Sequence, residues 1–118
     1  MSVFRIAAIS LIFLASLSLT ACFEPDREGY RDMAAEEVCD ELDSCGRLNG
    51  QAYDSYSDCL VEERSRFNST WSSSRCEDRI NADAFDRCMT RARLAACGTW
   101  LDYLAALDHC SADNVCID

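Results

Sequence analysis

The chain has 118 residues, a formal net charge of −10, nine cysteines and no lysine. This length provides one small domain, and so acidic a composition argues against a nucleic-acid partner because phosphate contacts require a basic surface. The same charge argues against a protein body that lies on anionic lipid head groups.

The first 21 residues are predicted to be a secretory signal peptide. Arg5 precedes an apolar segment over residues 6–19, which only serines interrupt, and small residues follow it. The apolar segment has 14 residues. A helix that spans a bilayer needs ~20 apolar residues, so a membrane-spanning anchor is not expected.

The signal peptide ends in Leu19-Thr20-Ala21-Cys22, which resembles the bacterial lipobox. The resemblance implies cleavage after Ala21, a diacylglycerol thioether on Cys22, and acylation of the new amino group by a fatty acid such as palmitate. The alternative is an ordinary signal peptide whose removal leaves Cys22 with a free thiol. Each buried methylene contributes ~0.8 kcal/mol, so two or three acyl chains would hold the protein stably on the membrane.

The residue after Cys22 predicts the membrane that carries the protein. In lipoprotein sorting, an aspartate at this position favours retention in the inner membrane. Phe23 stands there instead, which indicates the outer membrane, with the domain facing the periplasm or the cell surface.

Residues 22–31 are predicted to be a flexible lipidated tether, and residues 32–118 a cysteine-rich helical domain. Apolar residues at three- and four-residue spacing predict helices over 32–45, 55–71, 81–97 and 99–110, and no stretch alternates as a strand would. The expected N-caps are Asp32, Ser55, Asn81 or Asp83, and Thr99 or Asp102. Gly46 and Gly98 follow helix ends, while residues 69–74 are expected to be a linker and 111–118 a tail. The predicted fold is an all-α, disulfide-stapled bundle of about four short helices behind a signal peptide and tether.

With Cys22 assigned to lipid, an even number of cysteines remains. These are Cys39, Cys45, Cys59, Cys76, Cys88, Cys97, Cys110 and Cys116. In an exported chain of this size they predict four structural disulfides. Zinc is the competing explanation, but the closest cysteines have five residues between them, whereas zinc sites favour two.

Two of the disulfides are predicted from turn symmetry. Residues equidistant from a turn lie level in antiparallel helices, which favours Cys45–Cys59 and Cys88–Cys110. The remaining four cysteines are left to pair among themselves.

No catalytic, cofactor or metal site is predicted. His109, the only histidine, has Asp108 and Ser111 nearby in sequence, but they form no known catalytic arrangement. A solvated histidine at the C-terminal end of a helix is the simpler interpretation. The abundant carboxylates are interpreted as a solvated face.

Aromatic residues offer the remaining candidate site. Most are expected in the core, because a bundle this small needs large side chains to bury area. If Tyr53, Tyr56 and Tyr103 were exposed together, they would form a partner-binding patch.

The order of cysteines and turn residues resembles a family of small cysteine-rich lipoproteins from predatory soil bacteria rich in natural products. The matching segments are Val38-Cys39, Ser44-Cys45-Gly46, Tyr53 to Cys59, Arg75-Cys76, Phe85 to Cys88, Ala96-Cys97-Gly98, Cys110 and Asn114 to Cys116. This family carries a domain of unknown function and is labelled natural product biosynthesis lipoprotein. The resemblance implies an association with that biosynthesis and supplies no catalytic residues.

These patterns together predict a non-catalytic, lipid-anchored lipoprotein of the bacterial cell envelope. It would act as a binding or structural module, held to the membrane by its acyl chains and contacting an envelope protein. An alternative is a disulfide-locked inhibitor of a secreted hydrolase that presents the loop 47–56. A small envelope enzyme is the third hypothesis, which a deep pocket lined by His109 and acids would favour.

Overall fold

A computed structural model describes residues 24–117 as a helical bundle tied by four disulfides, which confirms the predicted fold class. The predicted signal peptide, Cys22 and Phe23 lie outside the described residues. The helices are α1 (Arg27–Ser44), α2 (Tyr56–Thr70), α3 (Ser73–Cys76), α4 (Ala82–Ala96), α5 (Trp100–Leu107) and α6 (Ala112–Val115), with a 3₁₀ turn at Asp108–Cys110. None of these helices is long and apolar enough to cross a membrane.

The first helix begins at Arg27, so the predicted start at Asp32 is wrong. Asp26 is the N-cap, and its carboxylate accepts a hydrogen bond of 2.7 Å from the Gly29 amide. Tyr30 in the first turn is buried against Phe85, with ring centroids 4.9 Å apart. Residues 27–31, which the sequence placed in the tether, therefore belong to the bundle.

The other helix starts follow the expected capping residues. Ser55 caps α2, Asn81 caps α4, and Thr99 forms a capping box with Asp102 at the start of α5. Gly46 follows α1 with φ +71°, a conformation that favours glycine. At these positions the local sequence was sufficient to predict the structure.

Trp71 lies at the centre of the core. In this core α1 packs against α2 and α4, and α4 also packs against α5. The indole N–H of Trp71 donates a hydrogen bond of 2.8 Å to the Cys110 carbonyl, and its ring packs against Phe67 and Phe85. The 3₁₀ turn is thereby fixed to the end of α2. Other large or branched core residues are Leu42, Val38, Met89, Tyr103 and Val115.

The disulfides connect elements that are far apart in sequence. Cys88–Cys110 is confirmed, but the predicted Cys45–Cys59 pair is wrong. Cys59 on α2 is bonded to Cys39, which faces it on α1. Cys45 is the C-cap of α1 and is bonded to Cys97, the C-cap of α4. The prediction from turn symmetry failed for Cys45 because this residue lies at the end of α1, next to the end of α4 rather than next to Cys59 on α2.

The short helices α3 and α6 lie where the sequence predicted a linker and a tail. Cys76 at the end of α3 is bonded to Cys116 after α6. Two backbone hydrogen bonds accompany this bridge, from the Asn81 amide to the Val115 carbonyl (2.9 Å) and from the Ile117 amide to the Arg79 carbonyl (3.1 Å). The described part of the chain contains no strand, only an isolated antiparallel bridge between Ile80 and Cys116.

Candidate functional site

The hypothesised patch of three exposed tyrosines does not form. Tyr103 is completely buried, Tyr53 is half-buried, and only Tyr56 is exposed. The Tyr56 hydroxyl donates a hydrogen bond of 2.7 Å to the Asp40 carboxylate, which raises the pKa of Tyr56 to about 12. Tyr103 is buried because it turns inward to a polar partner that the sequence pattern did not identify.

That partner is Glu63, whose carboxylate is fully buried between α2 and α5. The hydroxyls of Tyr53 and Tyr103 donate to it, the second over 3.3 Å. Arg66 Nε lies 3.3 Å from Glu63 Oε2. A buried charge is tolerated only when it is paired and hydrogen-bonded, and this carboxylate accepts from two hydroxyls and forms an ion pair with one guanidinium. Glu63 therefore acts as an internal cross-link.

The pKa values of the surrounding groups follow from this arrangement. Burial raises the pKa of both Tyr53 and Tyr103, and the negative charge of Glu63 raises them further. Burial is the largest single effect on Arg66 and lowers its pKa, but Glu63, Tyr53 and Tyr103 together favour the charged form and the net pKa is raised. Both phenols thus stay protonated and the guanidinium stays charged, which suits a structural network rather than proton transfer at neutral pH.

The loop over residues 47–56 is bound to the bundle through its first residue, Arg47. The Arg47 guanidinium donates to the Gly98 carbonyl and, over 3.4 Å, to the Cys97 carbonyl. Asn49, Gly50 and Gln51 form the exposed tip. The loop therefore does not present its basic side chain to solvent.

A surface groove lies between α4 and α5, and we call it the apolar groove. Its volume is about 470 Å³. Leu94 and small residues form most of its lining, and Asp102 is the one acid of the described chain in it; the small residues are Ala95, Gly98, Ala105 and Ala106. Leu94 is 82% exposed, and Leu101 on α5 is 76% exposed. Small residues on both helices leave a trough that no side chain of the described bundle fills.

A second cavity, the basic pocket, adjoins this groove. It has a volume of about 210 Å³ and is lined by Arg87, Arg91, His109 and Asn114, together with Ala84 and Cys88. Arg91 and His109 also line the apolar groove, so the two cavities are contiguous. His109 thus lies in a shallow cavity beside arginines rather than in a deep pocket with several acids.

The two arginines and the groove were missed by the sequence analysis, although a signal was present. Arg87, Arg91, Leu94 and Ala95 recur at intervals of three and four residues, which places them on one face of a helix. The signal for Glu63 was an acid within the apolar stripe between Leu60 and Phe67. No cluster of three or more histidine, cysteine or acidic side chains in residues 24–117 is arranged to hold a metal ion.

Comparison with known proteins identifies the family. The family of unknown function DUF6184 matches residues 39–118, and the chain belongs to it. No curated protein and no solved structure matches the chain. The family's description names neither a lipid anchor nor natural products, so these two expectations remain predictions.

Proposed function

We propose that this member of DUF6184 is a lipid-anchored, non-catalytic binding module of the bacterial cell envelope. The lipobox-like sequence at Cys22 supports the anchor, and so does the cysteine parity, because all eight other cysteines pair with one another. In this proposal the outer membrane carries the acyl chains. The resemblance to lipoproteins of natural-product-rich bacteria adds an association with that biosynthesis.

The observation that carries the binding role is the exposure of Leu94 beside an open groove on a rigid scaffold. A side chain of this size is 82% exposed even though α4 buries its opposite face in the core. The Cys45–Cys97 and Cys88–Cys110 bridges lie at the end and in the middle of α4, so the groove is held in shape before any ligand arrives. Preformed concave sites of this kind lower the cost of binding.

The position of the apolar groove supports an orientation of the domain in which the groove faces away from the membrane. Glu24 and Pro25 lie beside Cys76 and Ile80 at one end of the bundle. The 18 residues of α1 span about 27 Å from there to Cys45, which is bonded to Cys97 next to the groove. A lipid on Cys22 would therefore hold one end of the domain, and Leu94 would lie near the other.

The state of the ionisable groups supports a non-catalytic role. Glu63 is the only charged residue that is fully buried in the described chain, and its oxygens are occupied by Tyr53, Tyr103 and Arg66. His109 contacts Arg91 rather than an orienting carboxylate. Neither group is arranged as a general base next to a nucleophile.

The alternative of a hydrolase inhibitor depends on the loop 47–56. Because Arg47 is bound to the carbonyls of Cys97 and Gly98, the exposed tip at Asn49, Gly50 and Gln51 offers no charged or aromatic side chain. The binding module has the larger unoccupied surface, and the geometry favours it.

Labelling and fractionation test the anchor. Cells that express the full chain are fed labelled palmitate, and the Cys22→Ser variant is compared with Phe23→Ser as the matched control. We expect labelled protein in the membrane fraction for the wild type and for Phe23→Ser, and unlabelled protein for Cys22→Ser. Equal palmitate label in Cys22→Ser would contradict the proposed anchor.

A further inference from the structure

Two arginines of the basic pocket have no carboxylate partner among residues 24–117, whereas six other arginines have one. Arg27, Arg31, Arg64, Arg66, Arg75 and Arg93 each pair with a carboxylate. Arg87 and Arg91 have no ion pair with any carboxylate of residues 24–117, although acids outnumber arginines about two to one in the chain. The two unpaired cations lie one helical turn apart on the same face of α4.

The other polar groups of the pocket are held in place by neighbouring groups. Arg91 Nη1 lies 3.4 Å from His109 Nε2, and because a guanidinium only donates, the imidazole nitrogen is the acceptor. The Asn114 amide nitrogen is fixed by the Asp108 carbonyl, 3.3 Å away. No carboxylate of residues 24–117 lines the pocket. Asp113, the acid next to Asn114, is paired with Arg75.

An oxyanion fits this arrangement. Two guanidinium groups offer parallel N–H donors in the geometry that phosphate and carboxylate oxygens accept. On a chain with a formal charge of −10, unpaired arginines around an acid-free cavity form a local region of positive potential. An anionic group bound there would supply the partner that the fold does not.

The apolar groove continues from the basic pocket. Arg91 and His109 line both cavities, and beyond them the groove is lined by Leu94 and small residues, with Asp102 as its one acid among the described residues. The anionic head is therefore assigned to the basic pocket, whose lining lacks Asp102. A ligand whose head lies between the arginines would direct its remaining part along these apolar side chains. The groove volume of about 470 Å³ lies within the range of small-molecule sites.

We propose that the basic pocket and the apolar groove together bind one amphiphile, with an oxyanion head between Arg87 and Arg91 and an apolar tail against Leu94. This inference rests on the proposed binding role and names its ligand class. The head chemistry is shared by phosphate and carboxylate groups. The ligand is a single dispersed molecule and not a bilayer surface.

Calorimetric titration with octyl phosphate, kept below its micelle concentration, tests the proposal. The oxidised chain 23–118 is suitable, because the core and all four disulfides lie in residues 24–117. Inorganic phosphate supplies the head alone, and octyl glucoside supplies the same tail with an uncharged head. Octyl phosphate is expected to bind at least about tenfold more tightly than either, since it alone makes both sets of contacts.

Matched variants locate the site. Arg91→Gln is expected to weaken octyl phosphate binding about tenfold and Leu94→Ser about fivefold. Arg93→Gln removes the same charge from α4, but at a residue paired with Glu37, and Val61→Ser removes an exposed apolar side chain from α2. Both controls should bind octyl phosphate within about twofold of the wild type.

Three results would overturn the proposal. They are equal affinities for octyl phosphate and octyl glucoside, unchanged affinity in Arg91→Gln, and sedimentation with phosphatidylglycerol vesicles without binding of dispersed octyl phosphate. The last result would indicate a membrane surface as the ligand. None of them bears on the lipid anchor, which palmitate labelling tests separately.

Discussion

The hydroxyl of Tyr103 donates a hydrogen bond of 3.3 Å to the carboxylate of Glu63, and both side chains are completely buried. This contact joins α5 to α2, two helices that no disulfide connects directly. Trp100 packs against Tyr103 with ring centroids 5.2 Å apart and edge-on to Tyr53 at 6.3 Å. A polar cross-link thus fastens α5, and with it one wall of the apolar groove.

Replacing Glu63 should destabilise the bundle strongly. Glu63→Leu leaves the Arg66 charge without its partner and two phenols without an acceptor, so the free energy of unfolding should fall by about 3–5 kcal/mol. Glu62→Leu changes the exposed neighbouring acid and should alter it by less than about 0.5 kcal/mol. Urea unfolding followed by circular dichroism measures both. Similar losses in the two variants would show that the network does not stabilise the fold.

Stability should also decline in alkali. Burial and Glu63 raise the pKa of Tyr53 and Tyr103 above 10, so the folded protein keeps protons that the unfolded chain loses. The stabilisation is therefore fully present below pH 10 and is lost progressively as the pH rises above it. Urea unfolding at a series of alkaline pH values should show this decline. The double variant Tyr53→Phe/Tyr103→Phe should show a shallower one, and an unchanged slope would be evidence against the network.

The Cys76–Cys116 bridge should control local opening near α6. Cys76→Ala/Cys116→Ala should speed hydrogen exchange at the Asn81 and Ile117 amides, which bond to backbone carbonyls beside this bridge. Each missing disulfide should also lower the free energy of unfolding by about 3–4 kcal/mol in the chain-entropy account.

The matched control for this experiment is Cys39→Ala/Cys59→Ala, which removes the bridge between α1 and α2. In this variant, the amides whose hydrogen exchange speeds up most should lie in α1 and α2. Identical exchange patterns in the two double variants would mean that the bridges stabilise only the whole fold.

The capping box of α5 should have a measurable effect on stability. Thr99→Ala removes the hydroxyl that accepts from the Asp102 amide, and the free energy of unfolding should fall by about 1 kcal/mol. Thr90→Ala is the control, since that hydroxyl caps no helix: it donates to the Asp86 carbonyl within α4 and accepts from Arg93 over 3.4 Å. Thermal unfolding of both variants distinguishes the cap from a general effect of losing threonine.

The sequence predicted most of the fold because caps and apolar stripes are local signals. Ser55, Asn81 and Thr99 mark helix starts where they were expected. The start at Arg27 was missed because residues 27–31 are mostly charged or small, and Tyr30 is the only large apolar side chain among them.

The candidate site was less predictable because it depends on which charges pair across the bundle. Arg93 pairs with Glu37 on α1, whereas Arg87 and Arg91 lie beside His109 of the 3₁₀ turn and Asn114 of α6. Nothing in local spacing distinguishes these arginines. The Cys45–Cys97 pairing was hidden for the same reason, since it depends on α1 and α4 ending at the same level.

The most direct test of this account is peptide mass mapping of the full protein extracted from bacterial envelopes, alkylated and digested without reduction. The account predicts an N-terminal peptide that begins at a lipid-modified Cys22. It also predicts linked peptides for Cys39–Cys59, Cys45–Cys97, Cys76–Cys116 and Cys88–Cys110. An alkylated Cys22, or a chain that retains residues 1–21, would contradict the assignment of Cys22 to lipid and of the other eight cysteines to disulfides.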